Sequence, residues 1–304
     1  MFQHLLVPLD GSRMAEAALP AAATLAQALG AGVTLVHIIE QDAPQEIHGD
    51  RHLSNADQAC TYLEEVASRA FPPGVRVERH VHTAEVKDMA RSIVEHVSEL
   101  KPDLIVMCAH GHGGLHTRLF GSIAQQVIGM GKTPVLLIQP KNAATPAFLC
   151  RRLLVPLDGS ADHGQGLPVA AGLARACNAE LHLVQVVPTL PTLSGEEAAS
   201  GRLLPTATSL LLDLSQEAAR EQLQQHVVSL QAQGISVQAQ VLRGDPAKVI
   251  VRTARKVHAD AIVLGTHGKS GMEAFWSGSI APEVSSRSHV PLLLVPVREA
   301  GKDD

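Results

Sequence analysis

Gly265-Thr266-His267-Gly268 closes an apolar run, Ala261-Ile262-Val263-Leu264, and Gly278-Ser279 follows after nine residues at the expected start of a helix. Glycines at both ends of such a segment let backbone N–H groups approach a ligand closely. A helix N-terminus adds unpaired donors and partial positive charge, and the combination suits a phosphate. The competing reading is a strand-to-helix turn that takes glycine for its shape alone. By itself the stretch does not separate the two.

Other candidate chemistry is weaker. Gly131-Lys132-Thr133 looks like the end of a P-loop, but its first glycine would fall at Gln126 and the segment lies between helix and strand. It reads instead as a helix C-terminus with a cation, ahead of Pro134. His110, His112 and His116 crowd one loop, and His80 and His82 share a strand face. No cysteine or carboxylate completes a zinc set, so no metal site is predicted and these read as incidental surface histidines. Gly11-Ser12 and Gly159-Ser160 lack the G-x-S-x-G frame of a nucleophile elbow. No catalytic residue is assigned.

These stretches must be held by some scaffold, and composition bounds it. A chain of 304 residues suggests two domains of ordinary size. Hydrophobic residues make up 45% and aromatics only 2%, so the cores must be aliphatic. A net charge of −5, no basic block and few rings for stacking bases argue against nucleic acid. No apolar run approaches the ~18 residues of a membrane helix. Cys60, Cys108, Cys150 and Cys177 are scattered, as free thiols in a reducing compartment would be. The expectation is a cytoplasmic protein without membrane contact.

The chain repeats itself. His4-Leu5-Leu6-Val7-Pro8-Leu9-Asp10-Gly11-Ser12 returns as Arg152-Leu153-Leu154-Val155-Pro156-Leu157-Asp158-Gly159-Ser160. Asp103–Met107 returns as Asp260–Leu264, Phe120-Gly121-Ser122-Ile123 as Ser277-Gly278-Ser279-Ile280, and Thr133–Ile138 as Val290–Val295. Two domains follow, at 1–143 and 150–299, with a linker near Lys141–Cys150. In the first copy strands are expected near 4–10, 33–39, 75–82, 103–109 and 134–139. In the second they are expected near 152–158, 181–187, 236–242, 261–266 and 291–297. Helical patterns such as Met14–Leu29 and Ala84–Leu100 alternate with them. That alternation, with fully apolar strands, argues an α/β fold of two tandem doubly wound domains, each a five-stranded parallel sheet flanked by helices. Glu40–Ser54 and Pro188–Thr208 read as solvated loops, with a lid or contact loop as the alternative. Ligands of such sheets bind beyond the strand carboxyl ends, where Val155-Pro156-Leu157-Asp158 and Gly265–Ser279 fall.

Pro156, Asp158, the spacing Gly265-x2-Gly268-x9-Gly278-Ser279 and Pro291 together resemble the universal stress protein family. The likeness is to the branch that binds ATP through G-x2-G-x9-G-[ST], and it covers both copies. It implies a Rossmann-like fold of the HUP type and an adenine nucleotide, ATP, as ligand, with Mg²⁺ or Mn²⁺ as the candidate bridging ion. Asp158 would bond ribose and Val186 would meet adenine through its backbone. Gly265 and Gly268 would let the loop close on the phosphates, and Gly278, Ser279 and Ile280 would donate to them. Pro156 and Leu264 complete that set. For Asp158 an Asx-turn that starts the next helix is the alternative. The implied role is regulatory or stress-survival, with at most weak ATP hydrolysis. A slow ATPase or phosphotransferase and a nucleotide-free interaction module are the alternatives.

The first copy keeps Pro8, Asp10, Ile38, Met107, Gly111, Gly121, Ser122 and Ile123 as a weaker counterpart. Cys108 stands where the first motif glycine should be, placing a side chain where backbone would approach the ligand. The second copy is therefore expected to be the better nucleotide site. Relatives pair through their last strands, so Pro134–Gln139 and Pro291–Val297 would pair within one chain as a pseudo-dimer. A further homodimer is left open.

Overall fold

The computed structural model describes residues 1–41, 46–47, 50–51, 53, 55–109, 122–140, 147–159, 166–193, 195–266 and 280–296. The first repeat runs β1 (His4–Pro8), α1 (Arg13–Glu16), α2 (Leu19–Leu29), β2 (Gly32–Glu40), the short pair β3 (Glu46–Ile47) and β4 (Asp50–Arg51), and α3 (Ala56–Ala70). It continues through β5 (Val77–Val86), α4 (Met89–Leu100), β6 (Leu104–Cys108), α5 (Ser122–Met130) and β7 (Val135–Ile138). The second runs β8 (Arg152–Leu157), α6 (Gly166–Cys177), β9 (Glu180–Val187), α7 (Gly195–Leu203) and α8 (Pro205–Ala232). It ends with β10 (Val237–Arg243), α9 (Pro246–Lys256), β11 (Ala261–Thr266), α10 (Ala281–Arg287) and β12 (Leu292–Pro296).

Each repeat builds a parallel five-stranded sheet, ordered β5-β2-β1-β6-β7 and β10-β9-β8-β11-β12. The last strands meet antiparallel, with Leu292 opposite Leu137, Leu293 opposite Leu136 and Leu294 opposite Val135. The two sheets thus become one of ten strands, and both apolar edges disappear into it. The expected pairing of the two terminal strands within one chain is present.

Strands buried on both faces need apolar residues at every position, as Val135–Ile138 and Leu292–Val295 supply. One face packs on α2 and α6 through residues such as Leu25 and Ala170. The other packs through Ile93 of α4, Val127 of α5, Ile250 of α9 and Val284 of α10. Both cores run across the two repeats without a break. Asp103 and Asp260 recur as staples. Asp103 accepts from the N–H groups of Gln3 and His4 (2.7 and 3.0 Å), and Asp260 from those of Arg151 and Arg152 (2.7 and 2.9 Å). Each ties the start of its repeat's first strand to the strand beside it.

Three sequence expectations need correction. The helix expected over Met14–Leu29 is broken between Glu16 and Leu19, because Pro20 belongs in a first turn and α2 starts there. The helix expected from Ala84 begins at Met89, and β5 runs on to Val86. The stop signal is Asp88, whose carboxylate accepts from the Arg91 N–H at 3.0 Å. Much of Pro188–Thr208 is not irregular: a 3₁₀ turn at Leu190–Thr192 leads to α7, and Pro205 opens α8, 28 residues long.

Leu136 is 2% exposed at the junction. Leu136→Ala should lower the stability of the whole chain by about 2–5 kcal/mol in urea denaturation. A loss under about 1 kcal/mol would show a junction looser than described.

Candidate functional site

A parallel sheet offers a crevice where neighbouring strands depart in opposite directions. In the second repeat this point lies between β8 and β11, because β9 and β10 build outward on one side and β12 on the other. The observed register sets Ala261 opposite Leu153 and Ile262 opposite Leu154. Carried forward, it brings Gly265 level with Leu157 and Thr266 level with Asp158. Pro156 is half-buried, Asp158 is exposed just past the strand, Leu264 is buried and Gly265 is half-buried. Helix α6 starts hard against this point: a Cβ on Gly166 would stand 3.2 Å from the Gly265 nitrogen. Val186 lies half-buried near the end of the adjoining β9.

The turn after β8 places Gly159 at φ +83°, which disfavours any side chain. Its carbonyl accepts from the Gln222 amide of α8 at 3.2 Å, so the long helix steadies the turn. Ile280 is half-buried at the N-cap of α10, and its carbonyl accepts from Val284 at 3.0 Å. Gly268, Gly278 and Ser279, and His267 between the motif glycines, lie outside the described residues. So the structure brings Pro156, Asp158, Val186, Leu264 and Gly265 to one sheet edge.

The first repeat arranges its counterparts differently. Pro8 ends β1, while Ile38 and Met107 are buried at 4% and 5% exposure. One Asp10 oxygen accepts from the Ser12 N–H (2.8 Å) and hydroxyl (2.7 Å), and the Ser12 hydroxyl oxygen accepts from the Ala15 N–H at 3.1 Å. That is the Asx-turn and helix cap considered for its partner Asp158. Above the turn, a Cβ on Gly11 would come within 2.8 Å of Leu53, and Asp50 accepts from the Arg13 N–H at 2.9 Å. The described end of Glu40–Ser54 is therefore packed onto the strand end, not the plain solvated loop expected.

Cys108 is the other difference. Burial first, and then the Asp10 charge, push its thiol pKa up to about 12. The first repeat thus buries a thiol at the strand position where the second repeat has no side chain, at Gly265. Ile123 is exposed on α5, Ser122 is that helix's first residue, and Gly111 and Gly121 lie outside the described residues. Gly131 caps α5 by donating to the Val127 carbonyl at 2.9 Å, as the helix-end reading of Gly131-Lys132-Thr133 requires.

One group escaped the sequence reading. His80 and His82 are half-buried beneath α4 rather than on the surface, and His96, buried in that helix, joins them. The available signal was a histidine on the apolar stripe Ala90, Ile93 and Val97 of an amphipathic helix.

Two tandem βα repeats joined in one ten-stranded sheet define a duplicated doubly wound α/β protein. The sequence profile of the universal stress protein family matches residues 1–139 and again 150–296. The chain belongs to the universal stress protein family. It is 25% identical to universal stress protein Rv2623 of Mycobacterium tuberculosis over 309 aligned residues, covering 95% of each chain. Universal stress protein MJ0531 of Methanocaldococcus jannaschii is 32% identical over 149 residues, 48% of this chain and 82% of that one. The crystal structure of a universal stress protein from Archaeoglobus fulgidus shares the fold at a TM-score of 0.60 and 19% identity, covering 97% of this chain and 98% of its own.

A buried thiol with a raised pKa stays protonated and unreactive. Iodoacetamide at pH 8 should modify exposed Cys60 well before Cys108, as read by peptide mass spectrometry. Equal rates would contradict the described burial of Cys108.

Proposed function

We propose that this chain binds an adenine nucleotide, ATP, mainly in the crevice of its second repeat, in a regulatory or stress-survival role. The observation that carries the reading is the contrast between Gly265 and Cys108 at equivalent strand ends. The first repeat keeps its strand and helix with a cysteine there, so the fold does not demand glycine. A ligand approaching the backbone gives Gly265 its purpose. Asp158 is exposed at the same edge, where a carboxylate suits ribose hydroxyls.

In this reading Asp158 holds ribose and the Val186 backbone meets adenine, with Pro156 and Leu264 shaping the floor. Gly265 and Gly268 admit the phosphates, and Gly278, Ser279 and Ile280 donate to them. Mg²⁺ or Mn²⁺, where used, would be held near Asp158 and would offset the phosphate charge. The first repeat, within residues 1–143, holds nucleotide weakly through Pro8, Asp10, Ile38, Met107, Gly111, Gly121, Ser122 and Ile123. Cys108 and the packed Leu53 oppose entry there. The second repeat, within residues 150–299, does the work. In this reading any ATP hydrolysis is slow, and the bound nucleotide acts as a ligand rather than a substrate. We place the protein in the cytoplasm, which its free cysteines favour. Among the described residues no helix is long and apolar enough to cross a membrane.

Calorimetric titration of ATP into the full chain tests this. One strong site per chain is expected, and Gly265→Cys should weaken it at least about tenfold, a loss of roughly 1.4 kcal/mol. Asp158→Ala should weaken it as well. Unchanged binding in Gly265→Cys, or two equal sites, would overturn the assignment.

A further inference from the structure

We propose that His80, His82 and His96 of the first repeat form a three-histidine site for a divalent transition-metal ion of the Zn²⁺ type. The proposal is independent of the nucleotide crevice. It lies at the outer edge of the ten-stranded sheet, where β5 is the last strand and α4 covers one face.

The fold converges these residues from two elements. His80 and His82 are two apart on β5 and so face the same side. They pair in register with Val36 and Ile38, whose side chains belong to the core beneath α4. His96 comes down from α4, only 3% exposed. Its ring centroid lies 4.9 Å from each of the other two. One ligand nitrogen from each histidine falls within 4.8 Å of the others, and the His80 and His96 Nε2 atoms are 3.1 Å apart. Tetrahedral Zn²⁺ with bonds of about 2.0–2.1 Å sets its nitrogens roughly 3.3 Å apart. One pair is therefore already at coordination spacing, and modest side-chain rotation closes the rest.

The protonation pattern fits. The Nδ1 of His96 lies 2.7 Å from the Ser92 carbonyl, which only accepts, so Nδ1 carries the proton and Nε2 presents a lone pair. This is the outer-shell bond that orients histidine ligands in metal sites. Two Nε2 atoms at 3.1 Å must share one proton or one cation.

The second repeat supplies a control. Gln240 and Leu242 hold the register positions of His80 and His82, opposite Val184 and Val186. Thr253 stands as far beyond the cap Asp245 as His96 stands beyond Asp88. The same fold is built there without a histidine at any of the three positions. Three imidazoles, with no fourth protein ligand among the described residues, leave a coordination position for water or an exogenous ligand, and imidazole donors suit Zn²⁺, Cu²⁺ or Ni²⁺.

The test is calorimetric titration of ZnCl₂ into the full chain, freed of metal with EDTA, alongside zinc K-edge absorption of the loaded protein. One Zn²⁺ per chain with three imidazole ligands is expected. His82→Gln and the double variant His80→Gln/His82→Gln should lose more than the roughly ten- to hundredfold that an outer-shell change costs. The triple variant His110→Gln/His112→Gln/His116→Gln should bind as the parent does. Absence of binding, fewer than three imidazoles on the metal, or loss in the loop variant rather than the strand variants would overturn the proposal. The absorption measurement needs no variant, so a folding defect in a mutant leaves the test intact.

Discussion

The antiparallel pairing of Val135–Leu137 with Leu292–Leu294 is the constraint on which the molecule rests. Each repeat alone would end in a fully apolar strand with unpaired backbone, an open invitation to other chains. Joined, the two edges satisfy each other, and both faces of the resulting sheet carry a core that runs through both repeats. The outermost strands are then β5 and β10, both half-covered and rich in polar residues. Duplication within one chain makes this pairing permanent and independent of concentration.

Permanent pairing frees the repeats to diverge. The shared skeleton keeps its aspartate staples, Asp103 and Asp260, and its strand-end turns at Gly11 and Gly159. Between them the chemistry has separated. The second repeat keeps an exposed aspartate beside a glycine at the switch point. The first fills that place with Cys108, commits one Asp10 oxygen to a helix cap and packs Leu53 over the turn. It also gathers histidines at a sheet edge where the second repeat has Gln240, Leu242 and Thr253.

Much of the fold was legible because parallel strands are buried on both faces and write themselves as apolar runs. The repeat made the reading firm, since each motif could be checked against its copy. What was illegible lay in short polar signals and in contacts distant in sequence. Pro20 and Asp88 each move a helix boundary through one backbone nitrogen or one carboxylate, below the resolution of a periodic pattern. Leu53 on Gly11 and His96 against β5 depend on how elements pack, which spacing along the chain does not encode. At the candidate site the residue types and strand ends were readable; the turn that ties up Asp10 became visible only with coordinates.

A crystal structure of the full chain grown with ATP decides which repeat holds the nucleotide. Nucleotide density is expected beyond the ends of β8 and β11, with ribose on Asp158 and phosphates passing Gly265. Nucleotide seated instead beyond β1 and β6, beside Cys108, would contradict it.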